Sequence, residues 1–202
     1  MGNLTTFEII MNKLVFATNN LHKTQEVREL LKRDYEVLNL VDIGCDVDIP
    51  ETGSTFEANA LLKSSYVTEH YQLDCFADDS GLEVEALGNE PGIFSARYSG
   101  ERGDVVNMNY LLKKMEGVVN RNAHFKTVIS LVKNGRNYFF EGVIEGVLLN
   151  EPKGNKGFGY DPIFQPHGYN VTFAEMEMGE KNKISHRAIA MKKLIEFLKA
   201  SV

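Results

Sequence analysis

The chain has 202 residues, 43% of them apolar and 25% charged, with a net charge of −6. That apolar share excludes intrinsic disorder, and the length admits one substantial domain or two lobes sharing a core. The acidic balance argues against polymeric nucleic acid or an anionic membrane as partner, and no apolar run is long enough to cross a bilayer.

Residues Met1–Ile10 lack the charged and apolar segments of a signal peptide. They satisfy a loose myristoylation pattern, but no polybasic stretch supports it. We therefore expect an extension over 1–10 and a folded unit with two lobes over 11–202. Leu14–Thr18 reads as a buried strand ended by Asn19-Asn20, and Lys23–Arg33 as a helix with Val27, Leu30 and Leu31 at helical spacing. A strand follows at Glu36–Val41. Ser54-Thr55-Phe56-Glu57 predicts a capping box heading a helix to about His70. Leu73–Ala77 reads as a third strand that ends at Asp78-Asp79-Ser80-Gly81.

Residues 89–103, rich in Gly and Pro, read as loop. A helix is expected at Asp104–Met115, with Val105, Met108, Leu111, Leu112 and Met115 inward. Ala123–Val132 and Asn137–Leu149 are β-prone runs joined by Lys133-Asn134-Gly135-Arg136, a strong hairpin signal. Ser185 caps a last amphipathic helix. The expected fold class is α/β, a mixed central sheet with a long antiparallel hairpin, flanking helices and two lobes around a cleft. Cys45 and Cys75 show no metal-ligand spacing and read as reduced thiols of a cytoplasmic protein.

Several clusters could carry chemistry. Thr18-Asn19-Asn20-Leu21-His22-Lys23 joins a strand end to a helix N-terminus, where unpaired N–H groups and the dipole suit a phosphate. Asp78 and Asp79, adjacent after an apolar strand, need a cationic partner, and Mg²⁺ suits such carboxylates. Glu51 offers another carboxylate near a helix start, and Lys63 lies on the same helix face as Phe56. In Gly157-Phe158-Gly159-Tyr160-Asp161 the glycines allow close approach and the rings can stack on a flat ligand. Lys181, His186 and Arg187 would suit an anionic or carbonyl-bearing group. Each cluster alone also reads as an ordinary turn, cap or surface pair. Together they describe a nucleoside triphosphate site.

The ordered motifs Thr18-Asn-Asn-x-x-Lys23, Glu51-Thr-Gly-x-Thr-Phe-x-x-Asn-Ala, Ala77-Asp-Asp-Ser-Gly-Leu, Pro91-Gly-Ile-x-Ser-Ala-Arg97, Gly157-Phe-Gly-Tyr-Asp-Pro and Ile184-Ser-His-Arg span nearly the whole chain. The sequence resembles the inosine triphosphate pyrophosphatase (Ham1-like) family. That resemblance implies a homodimer that hydrolyses ITP, dITP and XTP to the monophosphate and pyrophosphate with Mg²⁺. It implies that Thr18, Asn19, Asn20, Leu21, His22 and Lys23 hold phosphates, and that Asp79 activates water. Ser80 would contact substrate; Phe158, Gly159, Tyr160 and Asp161 would enclose the base; Lys181, His186 and Arg187 would complete the pocket. Lys63, Asp78 and Arg97 would support the phosphate and metal region, with Asp78, Asp79 and Glu51 as candidate metal ligands. Pro50 stands where many relatives carry a second acidic residue, so Glu51 either binds the metal directly or supports a ligand that does. Two rivals are a related pyrophosphatase for pyrimidine or methylated nucleotides and a non-catalytic nucleotide-binding module. The first is disfavoured by the Ser-His-Arg and Phe-Gly-Tyr-Asp motifs; the second would not need Asp79.

Overall fold

The computed structural model describes residues 11–200; the myristoylation pattern and the expected extension lie outside them. Among these residues the elements are β1 (Asn12–Phe16), α1 (Leu21–Leu31), β2 (Tyr35–Asn39), α2 (Phe56–Tyr71), β3 (Cys75–Val84), β4 (Glu90–Pro91), α3 (Asp104–Lys114), β5 (Asn122–Lys133), β6 (Arg136–Leu148), β7 (Phe164–Pro166), α4 (Met178–Ile184) and α5 (His186–Ala200). The sheet runs β2-β1-β3-β5-β6-β7, with β4 on the free edge of β3. β1 is parallel to β2 and β3, and the β3–β5–β6–β7 pairs are antiparallel, so the sheet is mixed as expected. At the hairpin tip Asn134 and Gly135 both take positive φ, the conformation a tight two-residue turn demands.

The pairing of β3 shapes the molecule. β1 accompanies it only at Cys75 and Phe76, and β4 only at Glu83 and Val84. β5 pairs with it throughout. The stretch between therefore has a strand on one side and an open edge on the other, and the two lobes meet there. In the first lobe Leu14, Phe16 and Phe76 pack under α1 and α5, while Val15, Cys75 and Ala77 face Val67 of α2. In the second lobe Leu82, Phe125, Phe164 and Phe173 pack with Met108 and Leu111 of α3. Each such side chain removed from water contributes about 1.5–3 kcal/mol. Cys45 and Cys75 are buried and unbridged.

Four expectations need correction. Asp78-Asp79-Ser80-Gly81 lies within β3, not beyond its end, because β5 supplies ladder partners along the whole run. The cap of α2 is Thr55, whose hydroxyl accepts from the Ala58 N–H at 3.1 Å, so the Ser54-based box is displaced by one residue. Residues 92–97 form a 3-10 turn within the segment read as loop. Val105 is 64% exposed. At roughly 100° per residue it falls about 120° from the inward line Asn107–Leu111–Met115. Asn107 takes an inward place, holding Ser99 N–H and the Ala96 carbonyl.

Candidate active site

Successive β3 side chains point to opposite faces of the sheet, and this separates the two aspartates. Asp78 faces α1 and α5. Its oxygens accept from Lys23 Nζ at 2.9 and 3.2 Å, and one of them also accepts from Arg187 Nε at 3.1 Å. Burial alone would push this carboxyl up, but Lys23, Arg187 and Lys63 overcome it and hold the group well below the usual carboxylate range. Asp78 thus departs from the expectation of a metal ligand, since it is engaged by two cations. Lys23 is held below its ordinary value by burial, with Asp78 opposing.

Asp79 faces α2. Asn59 Nδ2 donates to one oxygen at 3.0 Å and the Ser80 N–H to the other at 2.9 Å. Burial raises its pKa to about 6, against the charge of Lys63 and the Asn59 bond, and Glu51 adds repulsion. Lys63 donates to Glu51 Oε1 at 2.6 Å and to the Asp78 carbonyl at 2.7 Å. That carbonyl lies on the open edge of β3, so Lys63 stands where a neighbouring strand would otherwise donate. A lysine on a mostly buried helix face here meets anions.

The segment Thr18–Lys23 joins the end of β1 to the head of α1. Asn20 is the N-cap and accepts from the Lys23 N–H, and Thr18 Oγ1 accepts from the Asn20 N–H. Asn19 and Leu21 are exposed beside them. The side chain of His22 lies outside the described residues.

A cavity opens on the Asp78 face of the sheet, with Ser80, Phe125, Phe158, Tyr160, His186 and Arg187 among its walls. Ser80 shares a 2.7 Å hydrogen bond with Thr127. Phe158 is exposed, and Lys181 Nζ and the Arg187 guanidinium lie 5.0 and 5.8 Å from its ring centre. Tyr160 is buried instead, its hydroxyl donating to the Ser95 carbonyl. Asp161 is buried and pairs with Lys181, while also accepting the Phe158 N–H. It therefore holds the wall of the cavity together. Gly159 donates its N–H to Asp104 at the head of α3.

His186 stacks flat on Phe125, with ring centres 4.8 Å apart. Burial and the nearby charges of Arg187 and Lys181 keep the ring well below its ordinary pKa, hence neutral near pH 7. Its Nδ1 is buried with no hydrogen-bond partner among the described residues, a cost a ligand atom could offset. Arg97 does not line the cavity; its guanidinium lies 5.4 Å over the Phe94 ring.

Asn59 stands in the Glu51–Ala60 motif but was given no role, and Thr127 escaped the sequence reading. Asn59 accepts the Gly53 N–H as it donates to Asp79, tying the Glu51 loop to the aspartate. A signal existed: Asn59 and Lys63 interrupt the buried stripe Phe56–Ala60–Val67 at helical spacing. Thr127 carried no comparable signal, since threonine is at home in any strand.

The Ham1 family model matches residues 14–197. The chain belongs to the Ham1 family. A protein named dITP/XTP pyrophosphatase from Flavobacterium psychrophilum is 53% identical, over 93% of this chain and 99% of its own length. Another of that name from Bacillus subtilis is 42% identical over 95% of this chain and all of its own. Among solved structures, the Staphylococcus aureus Ham1 protein superposes with a TM-score of 0.91 at 39% identity, covering 95% of this chain and 100% of that one. A Coxiella burnetii HAM1 protein gives 0.90 at 38%, covering 94% and 100%. The mixed α/β fold with its flanking helices is thus the fold of this family. Among the described residues no helix is long and apolar enough to cross a membrane.

Proposed function

We propose that this chain hydrolyses non-canonical purine nucleoside triphosphates (ITP, dITP and XTP) to the monophosphate and pyrophosphate. One observation carries the reading. The open edge of β3 carries a largely buried carboxylate, Asp79, beside Lys63 on one face, and the cations Lys23 and Arg187 with an aromatic-walled cavity on the other. The names of the Flavobacterium and Bacillus relatives support the substrate class.

In this reading the base enters the cavity against Phe158 and His186, and the triphosphate runs along the open edge towards the head of α1. Water attacks the α-phosphorus, Asp79 accepts its proton, and pyrophosphate leaves. Lys23 and Lys63 lie close enough to this edge to share their charge with the phosphoryl oxygens as negative charge builds. The 6-keto oxygen of hypoxanthine or xanthine would meet donors from Arg187 and His186. Adenine would turn its amino donor towards them and leave both sides unpaired, which discriminates strongly.

Asp79 and Glu51 fit a divalent cation, because they repel each other and both lie about Lys63. Among the described residues no group of three potential ligand side chains could hold a metal. Mg²⁺ would therefore take one or two carboxylates and complete its shell with water and substrate oxygens. When bound it would offset charge on the phosphates. The family resemblance supports a homodimer, and the two unbridged cysteines support a cytoplasmic location.

The test is pyrophosphate release from ITP, dITP, XTP, GTP and ATP, with Mg²⁺ and with EDTA in excess. We expect rapid release from the first three, little from GTP and ATP, and loss of at least 100-fold on chelation, restored by added Mg²⁺. Equal release from all five would discard the base pocket. Full activity in EDTA would discard the cation.

A further inference from the structure

We infer that Gly142, on β6 and outside the cavity wall, is a positioning residue for base selection, because it seats the N-terminal turn of α5. The inference rests on the function proposed above. A Cβ built at Gly142 would lie 2.0 Å from the His186 carbonyl oxygen, 2.6 Å from the Ala190 N and 3.0 Å from the Ile189 Cβ. The first turn of α5 therefore rests directly on the strand backbone, with no side chain between. That contact is backbone to backbone, so a methyl group there cannot be absorbed by a side-chain rotation. Restoring an ordinary 3.4 Å contact would push the His186 carbonyl away by about 1.4 Å.

The residues displaced are the ones that face the ligand. His186 follows the Ser185 cap, which accepts the Ala188 N–H and starts the helix. Its ring is located by the Phe125 stack, and Arg187 is located by its bond to Asp78. Both constraints belong to the sheet, as does Gly142, which pairs with Thr127, the partner of Ser80. A shift of α5 relative to the sheet thus separates His186 and Arg187 from Ser80 and Phe125. Misplacement by about 1 Å at a positioning group can cost on the order of 100-fold.

Gly146 provides a matched control. It lies on the same strand, and a Cβ there would lie 2.4 Å from the Gln165 carbonyl oxygen and 2.6 Å from the Phe164 ring. The atoms nearest that Cβ belong to Gln165 and Phe164, neither of them a proposed base-contacting residue, and Phe164 meets the cavity wall edge-on at Phe125. The experiment measures kcat/KM for ITP and ATP, with thermal unfolding, in the wild type, Gly142→Ala and Gly146→Ala. Both variants should unfold at lower temperature. Only Gly142→Ala should lose selectivity, with the ITP-to-ATP ratio falling at least tenfold, while Gly146→Ala stays within twofold of the wild type.

If Gly142→Ala does not fold, Ile189→Ala loosens the same seat without a clash and should lower the ratio at least threefold. The inference is overturned if Gly142→Ala folds and keeps its ratio, or if the Gly146→Ala ratio falls equally. It is also overturned if, with Gly142→Ala unfolded, Ile189→Ala leaves the ratio unchanged. A wild type that turns over ITP and ATP alike would sink the functional reading itself, and this inference with it.

Discussion

Asp79→Asn is expected to lower turnover of ITP by about 100- to 10,000-fold, the usual contribution of a positioned general base. Nucleotide binding should change little, because Asp79 points towards α2 whereas the base cavity lies on the other face of β3. The folded protein should stay close to the parent in stability. Burial raises the Asp79 pKa to about 6, above the 3.8 of a free aspartate. Its ionised form is thus disfavoured by folding, and at pH 7 the wild type carries that cost. Asparagine removes the charge but keeps one acceptor for two donors, so the bond from Asn59 Nδ2 or from the Ser80 N–H is lost and offsets part of the gain. Turnover, ITP affinity by calorimetry and the unfolding temperature are the three measurements. Normal turnover would remove Asp79 as the base and favour a binding module, whereas a protein that unfolds many degrees earlier would show a structural role instead.

Asp78→Asn should behave in the opposite way and lose stability. It removes the one carboxylate that Lys23 and Arg187 share, leaving two cations facing each other in a largely buried place. Breaking a buried ion pair by deleting one partner costs about 3–5 kcal/mol, and Lys23 is partly exposed, so the lower end is expected. Turnover should fall as well, since Arg187 and Lys23 would lose their common anchor. The pH dependence follows from the direction of the shift. The folded-state pKa of Asp78 lies below its unfolded value of 3.8. Its contribution is therefore complete above that value and drains away as the pH falls further. Urea unfolding at pH 7 and at pH 3 should show the gap between wild type and variant narrowing in acid. A gap that stays constant would mean the ion pairs do not supply the difference.

Much of this was legible in the sequence because it depends on near neighbours. The Asn20 cap, the Asn134-Gly135 turn and the Ser185 cap are each decided within three or four residues, by a side-chain acceptor or a permissive φ. The Phe158–Asp161 segment was recognisable as chemistry for the same reason, though the division of labour within it was not. Tyr160 is buried and Phe158 exposed because Ser95, 65 residues from Tyr160, takes the tyrosine hydroxyl.

The sequence by itself therefore determined the class of fold, the order of its longer elements though not β4, β7 or α4, and the residue types that gather at the cleft. Only the tertiary structure decided what the two adjacent aspartates do. Asp78 meets Lys23 across 55 residues and Arg187 across 109, while Asp79 meets Asn59 across 20. Neighbours in a strand point to opposite faces, so two carboxylates that look like one motif enter two environments. Where β1 stops beside β3, the strand edge is left to side chains, and there Lys63 meets the Asp78 carbonyl and the lobes open on a cavity. The length of that pairing is set by how whole elements pack, which no local window of the chain contains.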